Sequence, residues 1–88
     1  MKLTDVQEAQ LSSEVAIGTR ASSAYDGYIK DFIGRQNELL FKEFIESENL
    51  LDLPKLKEYQ LAIVALEREV LADIETGQLA LIQLNNKE

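Results

Sequence analysis

The chain has 88 residues, 16 acidic against 9 basic, a formal charge of -7, and neither cysteine nor histidine. That length allows one domain with a modest core. The missing residues exclude disulfides and thiolate metal sites and remove the commonest metal ligand and the usual neutral-pH acid/base.

An acidic chain lacks the basic stripe that attracts phosphate backbones or anionic membranes, so neither direct nucleic-acid binding nor membrane binding is expected. The sequence turns polar directly after Met1-Lys2-Leu3, without the apolar core of a secretory leader. With the absence of cysteine, this gives the expectation of a cytoplasmic location. A small chain without disulfides or metal gains stability by association, so a protein partner, itself or a larger assembly, is expected.

In chain order, the first predicted helix runs from Asp5 to about Ile17. Thr4 and Gln7 have the spacing of a capping box, in which each side chain satisfies the other's free backbone donor. From Ser12 to Ala24 the residues are small and include Gly18, which suits a frayed end, a loop, or a close approach of two backbones. A second helix is predicted from about Ala24 to Ser47, opened by Ser23 and Asp26. Tyr25, Tyr28, Ile29, Phe32, Ile33, Gln36, Leu40 and Phe44 recur at three- and four-residue steps as one apolar stripe. Asp26 with Lys30, Asp31 with Arg35, and Glu38 with Lys42 are spaced for i,i+4 ion pairs on its exposed side. Gly27 and Gly34 suit either close helix approach or neutral exposed positions.

Glu46 to Asp52 reads as a turn, with Asn49 leaving the helical conformation cheaply and Leu50, Leu51 and Leu53 plugging the closed end. Pro54 suits a first helical turn, which makes Asp52 or Leu53 the cap of a third helix. That helix is predicted to end at about Thr76, with Gly77 as its left-handed stop. So short a connection makes the second and third helices antiparallel neighbours.

The third helix carries two apolar stripes. Leu56, Tyr59, Ile63, Leu66, Val70 and Ile74 alternate steps of three and four, and Ile63, Leu66, Val70 and Ile74 are the predicted hairpin core. Leu61, Val64 and Leu71 lie off that seam. A helix apolar over most of its girth is contacted from more than one side, either by the first helix or by another chain. The segment after Gly77 adds Leu79, Leu81, Ile82 and Leu84, as a short helix or a strand. Docking it, on its own hairpin or on another subunit, would bury about 1.5 kcal/mol or more per large aliphatic. Leu61, Val64, Leu71, Leu79, Leu81, Ile82 and Leu84 are therefore the candidate partner surface.

Little points to chemistry. Glu43 with Glu46, and Glu69 with Asp73, share helix faces, but they sit opposite the apolar stripes and read as solvated. The calcium-loop pattern is absent, and the four glycines are isolated rather than gathered in a phosphate loop. No catalytic residue, cofactor or metal site is expected, and an enzyme is not expected.

The stretch Arg35-Gln36, Leu40, Phe44, Leu51, Tyr59, Ala65-Leu66-Glu67, Ile74 and Thr76-Gly77-Gln78-Leu79-Ala80 resembles small helical proteins encoded by tailed bacteriophages. The resemblance covers about half the chain and implies a virion or head-assembly accessory protein acting through subunit contacts. It would place the chain in the host cytoplasm or the virion, and it carries no catalytic residues.

The expected fold is all-α, in one domain and oligomeric. It comprises an N-terminal helix or arm over 1–23, an antiparallel hairpin of two long helices over 24–76, and an apolar tail over 77–88. The expected function is a non-enzymatic protein-protein interaction or assembly module. The alternative is a small acidic regulator that binds and inhibits a basic or nucleic-acid-binding protein through Glu43, Glu46, Glu48 and Asp52.

Overall fold

The first helix opens on the expected capping box. In the computed structural model, which describes residues 3–46 and 53–86, the Thr4 amide donates to Gln7 Oε1 at 2.9 Å and the Gln7 amide donates to Thr4 Oγ1 at 3.1 Å. Two of the helix's free N-terminal donors are satisfied this way. Helix α1 runs Asp5–Ala24, a π-helical turn follows at Tyr25–Ile29, and α2 continues over Lys30–Glu46. Ala24, Tyr25 and Lys30 all keep right-handed helical torsions, so the three pieces form one continuous arm. At about 1.5 Å per residue such an arm is about 60 Å long, which accounts for the 63 Å long axis of the molecule. Helix α3, Leu53–Asn85, forms the second arm, with Pro54 in its first turn as expected. The chain is an all-α antiparallel hairpin.

Several element boundaries differ from the expectation. The small residues from Ser12 to Ala24 do not break the helix, and Ser23 does not start a new one. Gly77 does not stop the third helix but lies inside α3, which carries Leu79, Leu81, Ile82 and Leu84 onward in helical register. The physical reason is the same for both segments: they pack against each other. A Cβ built on Gly18 would stand 2.8 Å from the Gly77 Cα, and one on Gly77 would stand 2.8 Å from the Gly18 Cα. Only glycine on both sides permits so close a crossing. Nearby Ala80 is 2% exposed. By contrast, a Cβ at Gly27 or Gly34 meets nothing within 4 Å, which settles those two as open positions.

The π turn sets the phase of the longer arm. Tyr25, Ile29 and Ile33 all turn toward α3, the first two half-buried and Ile33 4% exposed. Eight residues of uninterrupted α-helix would leave Ile33 about 80° away from Tyr25. The wider turn, closed by the Lys30 amide donating to the Tyr25 carbonyl, takes up most of that rotation. Beyond it, α2 packs more loosely on α3 than α1 does. Large side chains hold the backbones apart there, whereas glycine, alanine and serine draw them together near the open end.

The expected core is only partly realised. Ile63 is 7% exposed and Val70 and Ile74 are half-buried, but Leu66 is 48% exposed. With a single neighbouring arm, nothing reaches the flank of α3 where Leu66 stands. On the other arm, Tyr28 and Phe44 of the predicted stripe are exposed as well. None of the three i,i+4 acid-base pairs closes to ion-pair distance; these residues are all described. Arg35 instead lies over the Tyr28 ring, 5.8 Å from its centroid, and Tyr28 stacks on Phe32. The proposed plug residues Leu50 and Leu51, the turn at Asn49, and Asp52 lie outside the described residues.

Candidate interaction surface

Two tyrosines cross the seam between the arms. The Tyr25 hydroxyl donates to Glu67 Oε2 at 2.8 Å, and the Tyr59 hydroxyl donates to Gln36 Oε1 at 2.8 Å. The same number of residues separates Gly18 from Gln36 as separates Tyr59 from Gly77, so the antiparallel register holds from one end to the other. The Glu67 carboxylate raises the Tyr25 phenol above its ordinary value of 10.0, first through that hydrogen bond, then through desolvation and the nearby charges of Glu67 and Asp26. A raised phenol is favoured in its protonated form in the folded chain. Its contribution is therefore complete below pH 10.0 and is lost as the pH climbs through the raised value. Tyr25→Phe should remove this part of the alkaline loss of stability, read as a smaller drop in urea midpoint between neutral and strongly alkaline pH than in the parent chain.

The proposed partner residues fall into two groups. Leu61, Val64, Leu71, Leu79 and Ile82 are 40 to 54% exposed and lie along the outer side of α3. Leu81 and Leu84 turn toward α1 instead. Leu81 is 47% exposed and borders the depression at the glycine crossing, beside Val15, Gly18 and Ile74, while Leu84 is half-buried. The helical register that continues past Gly77 carries these two onto the seam.

The sequence did not single out a second apolar area near the closed end. Phe41, Phe44 and Ile45 are 66%, 57% and 64% exposed on α2. Phe41 and Phe44 line a groove of about 500 Å³ whose opposite wall is Leu53, Leu56, Lys57, Gln60 and Val64. The signal that would have found Phe41 and Ile45 is their position beside, rather than on, the three-and-four stripe. Leu39, 53% exposed, lines a smaller depression on the other flank with Tyr59 and Gln36.

Of the acids expected to carry the alternative inhibitory contact, Glu43 and Glu46 are exposed near the end of α2, and Glu48 and Asp52 lie outside the described residues. Among the described residues, no three His, Cys, Asp or Glu side chains gather where they could hold a metal ion. Among the same residues, no helix is long and apolar enough to cross a membrane. No protein-family model, curated protein or solved structure matches the chain.

Proposed function

We propose that this chain is a non-enzymatic association module, a helical hairpin that completes its hydrophobic core against helices of other subunits. The observation that carries this reading is the balance of burial. Among the described residues the buried hydrophobic side chains are Ile33, Ile63 and Ala80, against fifteen large hydrophobics left exposed. Monomeric proteins rarely leave contiguous apolar area of that kind in water, and where they do it marks a binding surface. Chains this small commonly associate to gain the stability their own core lacks. The lack of histidine and cysteine supports a binding role over a catalytic one. The resemblance to small tailed-phage helical proteins supports the finer form of the proposal, an accessory element in virion or head assembly, working in the host cytoplasm or the virion.

Unfolding followed by circular dichroism over a wide range of protein concentration tests the association. Folding coupled to assembly makes the midpoint temperature rise with concentration. A midpoint that stays fixed across the range contradicts the proposal.

A further inference from the structure

The association reading leaves open which face is used and what covers it. From the pattern of charge and apolar residues on the outer side of α3, we infer that this face packs on the same face of a second copy, antiparallel, about a two-fold axis between Leu71 and Ala72. The inference rests on the association reading and commits it to one surface and one partner.

At about 100° per residue, the outer stripe from Leu61 to Ile82 falls within a sector of about 100°, turned away from the seam that holds Ile63. Within it, residues equally far from the Leu71–Ala72 midpoint are complementary. Leu61 answers Ile82, Val64 answers Leu79, and Arg68 answers Glu75. A two-fold axis at that midpoint brings each of these residues opposite its counterpart on the other copy, as an isologous interface requires. Leu71 and Ala72 flank the axis at the two edges of the sector, so each lies beside the same residue of the second copy, and the small Ala72 lets the two helices approach closely on its edge.

The two charges decide the partner and the direction. Arg68 and Glu75 have no hydrogen-bond or ion-pair partner within the described hairpin. Nor does either have an opposite charge three or four residues away, where a helix would supply one. They are seven residues apart, about 10 Å along the helix, too far to meet each other within one chain. Across the proposed axis they meet twice, each arginine beside the other copy's glutamate. A parallel arrangement in register would instead place arginine against arginine and glutamate against glutamate, which disfavours it. Of the remaining acids of α3, Glu58, Glu69 and Asp73 lie on other sides of the helix, while Glu67 borders the same shallow depression as Arg68 and Glu75 and is turned toward the other arm by the hydrogen bond it accepts from Tyr25.

Charge exchange tests this. Arg68→Glu and Glu75→Arg each place like charges opposite one another at both symmetric positions. Each variant alone should associate about tenfold or more weakly than the parent, and high salt should narrow the gap. An equimolar mixture of the two single variants restores both opposite-charge pairs, and so does the double variant. Both should recover parental association in sedimentation equilibrium. Both positions are exposed, so helicity stays constant throughout. Single variants that associate as the parent does, or a mixture that recovers nothing, would overturn the two-fold interface while leaving association itself standing. A parent chain that never associates would remove both.

Discussion

Gly77→Leu and Gly18→Leu should be the most damaging single substitutions in the folded hairpin, costing about 3 kcal/mol or more. Even the first added carbon has no room. It would stand 2.8 Å from the facing glycine's Cα and 3.0 Å from a carbonyl oxygen, that of Glu14 for Gly77 and of Asp73 for Gly18. These are backbone atoms, so no side chain can swing aside, and the arms must separate along the whole crossing. Gly77→Ala is the more informative variant because two effects oppose each other. Alanine gains about 1 kcal/mol in helix propensity over glycine, while the forced separation costs about 1–3 kcal/mol, so a net loss is expected. At Gly34, where a Cβ meets only open space, the same change should stabilise by up to about 1 kcal/mol. Urea unfolding of the two alanine variants checks the prediction by sign alone. Equal gains at both positions would mean that the glycine crossing is not a close contact.

The opposite roles of these glycines also show what a single sequence conveys. The capping box of Thr4 and Gln7 was legible because its partners lie within one turn, and so was the start of α3 at Pro54. The hairpin was legible from the apolar periodicity on either side of a short connection. Gly77 was not, because glycine serves equally as a left-handed helix stop and as a site of close backbone approach. Only its contact with Gly18, far away in sequence, distinguishes the two. A helix taken to end at Thr76 leaves Leu81 and Leu84 in a tail of undetermined form, whereas continued helical phase turns both toward α1. The π turn was hidden for a related reason, since it corrects a phase error that exists only relative to the other arm.

On the surface, the second stripe of α3 could be read from one helix alone, so Leu61, Val64 and Leu71 were placed outward without knowledge of the partner arm. Leu66 was assigned to the core because its spacing continues the seam, yet it stands one step too far round. The i,i+4 acid-base spacings did not become ion pairs. Exposed pairs of that kind contribute so little that side-chain entropy and hydration outweigh them.

Introducing charge into the outer stripe should have the second large effect. Leu71→Lys with Leu79→Lys should abolish association, because each replaces an apolar side chain of the proposed contact by a charge that association would strip of water, and both lysines draw on Glu75 within their own chain. Both side chains are 42% and 54% exposed in the single hairpin, so helicity under dilute conditions should change little. A collapse of helicity in this variant at a dilution where the dissociated parent chain is still helical would instead assign the two leucines to the hairpin's own core.

The most direct measurement is the molar mass of the parent chain by sedimentation equilibrium at tens of micromolar, beside the Leu71→Lys, Leu79→Lys variant. The account predicts an integral multiple of the single-chain mass for the parent and the single-chain mass for the variant. A parent chain that is fully helical and has the single-chain mass at every concentration would contradict it.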